Sequence, residues 1–354
     1  MEPLIDRLGE GRLLLVSGVG LGVVFGCAAY HARFCLRAAT AEVAGGRLGP
    51  RLAVWLVAFF SALAAVQAAI LAGGLDVSAA RQLATTGSLS GAIIGGLLFG
   101  CGMILARGCA SRLLVLSASG NLRAIVTGLV LTLTAQASLR GSLAPLRETL
   151  AGIWTLPGGA ARSLIGAGGA FAHWVAVGAL IALILALVFG LRQRVRASEL
   201  IAAAIVGLAI FGGWQLTFAI SRASFEVIAV QSITFSGPST DTLMALVNAS
   251  SLPPGFGIGL VPGVVFGAMV TAFAKGEARV QRFGPDTPME RYLMGGVLMG
   301  FGSMLAGGCA VGAGLSGGAI LATTAWVAVL CMWIGAVATE LLLRARPGWP
   351  ATAR

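Results

Sequence analysis

Charge is what this chain has least of. Asp, Glu, Lys and Arg make up 10% of its 354 residues, where soluble proteins carry about 25%. A water-soluble globular domain is excluded on that ground. Histidine is nearly absent, with two residues and neither in a cysteine cluster, and no C-x-x-C pair occurs. Neither a zinc site nor a simple dithiol redox centre is expected. Six cysteines in apolar settings are too few for a disulfide scaffold. No basic stretch interleaved with aromatics appears, so the net charge of +11 is not a nucleic-acid footprint. A basic leader and a small-residue cleavage site are also missing. Glu2, Asp6, Arg7 and Glu10 precede the first apolar run, which reads as a retained span and not a signal peptide.

What is present is apolar length. Hydrophobic types make up 57% of the chain, mean hydropathy is +0.93, and there are 52 glycines. A membrane helix needs about 20 apolar residues. Nine such stretches lie near 12–30, 52–73, 88–107, 122–139, 173–191, 199–220, 256–274, 290–307 and 320–343. The expected class is an all-α polytopic membrane protein embedded in a lipid bilayer. Five shorter segments, 109–119, 142–152, 224–236, 240–250 and 310–319, are too brief to cross and predict re-entrant or interfacial pieces. Of 24 Lys and Arg residues, 17 fall on one side of this arrangement. Positive charge gathers in cytoplasmic loops, so the N-terminus is expected in the periplasm and the C-terminus in the cytoplasm.

The chain also repeats itself. Gly95–Ala110 aligns without gaps with Gly295–Ala310, 200 residues on, and both glycine pairs and Cys109/Cys309 coincide. A weaker echo relates Phe25-Gly26-Cys27…Arg33-Phe34-Cys35 to Phe99-Gly100-Cys101…Arg107-Gly108-Cys109. In the second half Ser224, after Arg222-Ala223, is the expected counterpart of Cys35. The spans then divide as four, one, four. That gives a first half at 1–140, a linker with span five at 141–198, and a second half at 199–354. An offset of five spans turns equivalent helices over, the inverted repeat of transporters with a central site.

Cys35, Cys109 and Cys309 each close a span at a break rich in small residues, the last two after Gly108 and Gly308, with Gly312 following. Broken backbone at membrane depth is tolerated where it lines a cavity. Short helices starting there would aim free N–H groups at an anion, and thiols offer soft, polarizable contacts. Arg33, Arg107 and Arg112 stand beside the breaks and would draw an anion in. Cys331 reads as a buried apolar residue, and Cys27 and Cys101 stay open. His31, His173, Glu226 and Glu340 fall near span ends, where they snorkel or pair. Gly312-Ala313-Gly314-Leu315-Ser316-Gly317 spells a dinucleotide fingerprint but follows a membrane span, so that reading is rejected.

At R-F-C (33–35), R-G-C-A-S-R-L-L-V (107–115) and G-G-V-L-M-G-F-G…G-G-C-A-V-G-A-G-L-S-G (295–317) the chain resembles the YeeE/YedE family of bacterial inner-membrane sulfur transporters. The resemblance implies uptake of thiosulfate or a related inorganic sulfur anion, and short helices dipping in from both faces. It implies a relay of ligand along Cys35, Cys109 and Cys309 by S–H···S contacts, and no catalytic residue, metal or cofactor. It further implies a separate soluble sulfur-carrier protein, TusA-like, on the cytoplasmic side. Arg107 departs from the glycine of the family pattern, which leaves selenium species and other sulfur oxyanions open. A membrane thiol or persulfide oxidoreductase is the alternative from the enzyme class.

Overall fold

In lipid, an apolar run has to satisfy its own amide groups, and a helix does so. The computed structural model describes residues 5, 7–165, 169–248, 254–283 and 288–345. Among them are nine apolar spans long enough to cross a bilayer. Glu2 and Asp6, cited for a retained first span, and the tail beyond Ala345, which the charge count used, lie outside the described residues, as do 249–253.

The first long helix, α1 (Glu10–His31), is followed by a short one, α2 (Leu36–Ala44). Then come α3 (Pro50–Leu71), the single turn α4 (Arg81–Ala84) and the broken pair α5 (Leu89–Leu105) and α6 (Ala110–Ala118). Helix α7 (Leu122–Arg140) follows. The next connection carries α8 (Ala144–Gly152), whose side chains are not buried, and a two-residue pairing of Gly87–Ser88 with Thr155–Leu156. Helix α9 (Gly169–Arg192) lies on α3 and turns most of its apolar surface outward. After it come α10 (Ala197–Ala223), α11 (Ser236–Asn248), α12 (Phe256–Ala274) and α13 (Met289–Leu305). A π-helix (Ala310–Gly317) and α14 (Thr323–Arg344) follow these.

Close backbone contact holds these helices together, as expected where lipid removes the hydrophobic drive. Glycines 18, 22 and 26 of α1 mesh with glycines 259, 263 and 267 of α12, each one turn apart. A Cβ at Gly22 would lie 2.5 Å from the Leu260 carbonyl oxygen, and one at Gly259 would strike that of Leu15.

The repeat-related helices α5 and α13 cross antiparallel and reciprocally. Gly95 faces Gly302 and Ala306, while Gly295 faces Gly102 and Ala106. Outside this crossing, each helix packs beside the last span of the other half. Gly100 of α5 meets Met332 and Ala336 of α14, and Gly300 of α13 meets Leu131 and Ala135 of α7. In the same way α1 packs on α12 and α10 on α3.

Two of the short segments differ from expectation. Residues 224–235 contain no helix, and α11 begins earlier than expected, at Ser236. The run Val227–Thr234 holds four β-branched residues besides Val227 itself, which disfavour helix. Its carbonyls are satisfied by neighbouring hydroxyls: Ser221 donates to Ile228 O (3.2 Å), Thr217 to Gln231 O (2.7 Å) and Ser316 to Ile233 O (2.6 Å). Helix α2, by contrast, falls in what the hydropathy reading leaves as a loop.

Candidate functional site

Three long helices end in one way. At the end of α1 the N–H of Arg33 bonds Tyr30 O and that of Phe34 bonds Ala29 O. At the end of α5 Arg107 bonds Ile104 O and Gly108 bonds Met103 O; at the end of α13 Gly308 bonds Ser303 O. This cap requires a left-handed residue one step past the helix. The residues in that place are Arg33 (φ 51°), Arg107 (φ 53°) and Gly307 (φ 79°). Each stands two positions before a cysteine.

The chain then restarts as a short helix with the cysteine at its N-cap: Cys35 before α2, Cys109 before α6, Cys309 before the π-helix. At the third break the Cys309 sulfur accepts a hydrogen bond from the Gly312 amide, three residues on, at 3.5 Å. Cysteine thus does here what serine does at ordinary helix starts. Free amides of the first turn face the same break and favour negative charge.

The thiols of Cys35 and Cys109 are interacting neighbours. Cys109 also lies 3.3 Å from the Ser111 hydroxyl. All three cysteines are buried and free. Cys309 is not hydrogen-bonded to either of the others; its partner is Thr234, whose Oγ1 lies 3.9 Å away. The short helix α6 and the π-helix nevertheless approach each other. Gln67 and Gln82 donate to the Ala319 and Gly312 carbonyls (2.7 and 3.2 Å), which holds the π-helix. Wide π-turns leave such carbonyls to be satisfied from outside and recur at functional sites.

Gly308 and Gly312 are steric requirements. A Cβ at Gly308 would lie 2.9 Å from the Ala313 amide, and one at Gly312 would strike the Thr234 hydroxyl. Gly108 is less constrained, with its nearest contact at 3.4 Å.

The arginines divide. Arg112 lies close enough for its charge to act on Cys35 and Tyr30. Arg107 is partly buried and carries no ion pair among the described residues. Arg33 is exposed and sits 3.6 Å from Glu277, whose other oxygen accepts from Tyr30 Oη (2.9 Å). Its charge is therefore partly offset.

Ser224 lies away from Cys309: its hydroxyl bonds the Glu10 carboxylate. The residue that stands beside Cys309 is Thr234, which the sequence reading missed. Glu340 pairs with Arg344 (3.1 Å). Cys27 and Cys101 donate to the Gly267 and Gly335 carbonyls of adjacent helices (3.2 and 3.6 Å). Among the described residues no group of three His, Cys, Asp or Glu side chains is placed to hold a metal.

Comparison with known proteins agrees with this architecture. The thiosulfate transporter TsuA of Escherichia coli (strain K12) is 25% identical over 356 residues, covering 94% of this chain and 96% of that protein. The thiosulfate transporter TsuA of Spirochaeta thermophila is 27% identical over 340 residues, 91% and 97% of the two chains. The family described as sulphur transport matches residues 31–338, from the end of α1 into α14 and through all three cysteine breaks. The chain belongs to that family, the YeeE/YedE group of multi-pass membrane proteins.

Proposed function

We propose that this protein carries thiosulfate, or a closely related inorganic sulfur anion, across the bacterial inner membrane along Cys35, Cys109 and Cys309. The observation that supports this most directly is the threefold recurrence of one local structure: a helix end, a left-handed residue, and a free buried cysteine capping a short helix. Each break presents first-turn amides for the charge of the anion and a thiol for its terminal sulfur. Family membership and the names of two relatives support the substrate class.

Neutral thiols suit the task. A thiolate would repel an anion and invite covalent capture. Contacts weak enough to leave are what conduction requires. Arg107 and Arg112 draw the anion toward the breaks. The reciprocal crossing of α5 and α13 supports an inverted repeat of residues 1–140 and 199–354 about the linker 141–198. The charge distribution supports a periplasmic N-terminus and a cytoplasmic exit, where a TusA-like carrier would receive the sulfur.

A second reading has one observation in its favour. Cys35 and Cys109 are adjacent free thiols, the arrangement that a dithiol redox centre needs. That reading predicts a Cys35–Cys109 disulfide, or a mixed disulfide on Cys109, during turnover. Transport predicts that both thiols stay reduced.

The deciding experiment is growth. A host lacking its own thiosulfate uptake, supplied with thiosulfate as the only sulfur source, grows with this gene and not without it. Growth that is indifferent to the gene contradicts the proposal.

A further inference from the structure

The Cys109 break has two side-chain partners, Cys35 and the Ser111 hydroxyl at 3.3 Å. Two hundred residues on, the sequence offers neither: Ser111 becomes Val311, and no cysteine lies between α10 and α11. The second half therefore looks one thiol and one hydroxyl short.

Thr234 occupies that gap. In each half the first long helix is followed by a short one, α1 by α2 and α10 by α11, and the stretch between them runs to the break. In the first half that stretch ends on Cys35 beside Cys109. In the second it ends on Thr234-Phe235, with Thr234 Oγ1 3.9 Å from Cys309 Sγ. Ile233 and Phe235 are buried at 0% and 1% exposure, while Thr234 between them is only half-buried. The hydroxyl sits on the bare Cα of Gly312, whose amide donates to the same Cys309 sulfur. Hydroxyl, thiol and the Gly312 amide thus converge on one point.

We infer that Thr234 is a substrate-contacting residue: it completes the Cys309 station, taking the place of Cys35 and the chemical role of Ser111. This rests on the transport reading above. A hydroxyl both donates and accepts, whereas a thiol does each weakly. An anion with oxygens at one end and a sulfur at the other can then engage Thr234 by oxygen and Cys309 by sulfur together. An anion offering oxygens alone meets only half of the station.

The test is uptake of radiolabelled thiosulfate into proteoliposomes holding the full chain. Thr234→Val keeps the shape and removes the hydroxyl. A hydrogen bond to a charged group contributes about 1.5 kcal/mol or more, so KM rises about tenfold or more, with the maximal rate less affected. Thr234→Ser restores the wild-type KM. Should Thr234→Val fail to insert, Thr234→Ala carries the same test. An unchanged KM in the variant lacking the hydroxyl overturns the inference. If Cys309→Ala still abolishes uptake in that case, the cysteine pathway stands without Thr234. If Cys309→Ala is also without effect, the pathway itself falls.

Discussion

Cys309 faces Thr234 across 3.9 Å, whereas its counterpart Cys109 faces Cys35. Two breaks of common local build are therefore chemically unequal: one joins thiol to thiol, the other thiol to hydroxyl. An anion that moves from one to the other exchanges one kind of contact for another, with no single site strong enough to trap it.

The left-handed arginines set charge against backbone strain. Arg107 (φ 53°) occupies a position where glycine is relaxed and any other residue is strained. Arg107→Gly is expected to stabilise the fold by about 1 kcal/mol and to lower uptake at low substrate. Arg107→Lys keeps both strain and charge, and its uptake stays closer to wild type. Thermal unfolding in detergent and uptake kinetics read the two effects separately. A variant that is both more stable and equally active would mean that Arg107 has no electrostatic role.

The α1–α12 seam admits no side chain. Gly22→Val places methyls against the Leu260 carbonyl and Gly263 and is expected to destabilise by about 1–3 kcal/mol, seen as a lower melting temperature and aggregation. Gly20 has open space around it, so Gly20→Val serves as the control with little change.

The non-helical backbone between α10 and α11 depends on its hydroxyl partners. Thr217 is fully buried; it donates to Gln231 O at 2.7 Å and accepts from the Gln231 amide at 3.1 Å. Thr217→Val leaves that amide unpaired, at a cost of about 1–3 kcal/mol. Hydrogen exchange over residues 228–235 should accelerate relative to the helices. Equal protection in the variant and the wild type would show that this segment is held by packing alone.

Glu277 pairs with Arg33 at 3.6 Å, and both side chains are about half exposed. Such a pair contributes about 0–1 kcal/mol, so Glu277→Gln changes stability little. It frees Arg33, and uptake at low substrate and low salt is expected to rise. The gain disappears in 1 M salt, where the screening length falls to about 3 Å.

The spans were legible because lipid leaves an apolar run one backbone choice. The cysteine breaks at 109 and 309 were legible because sixteen residues repeat with their glycines in register. Helix α2 was not, since Arg37 and Glu42 make its nine residues look like a charged loop. Thr234 escaped for a different reason. A search guided by Arg-x-Cys stops at Arg222-Ala223-Ser224, but α10 runs to Ala223 and eleven further residues pass before the chain reaches Cys309. The available signal was chemical: Thr217, Ser221 and the β-branched run before Thr234 announce non-helical backbone that needs hydroxyl partners.

The central claim is that one anion path passes all three capping cysteines. Its most direct test is initial-rate uptake of radiolabelled thiosulfate by proteoliposomes carrying Cys35→Ala, Cys109→Ala or Cys309→Ala, with Cys331→Ala as the off-path control. The account predicts that each of the first three loses most of its uptake while remaining folded, and that Cys331→Ala retains it. Undiminished uptake in both Cys109→Ala and Cys309→Ala would contradict it.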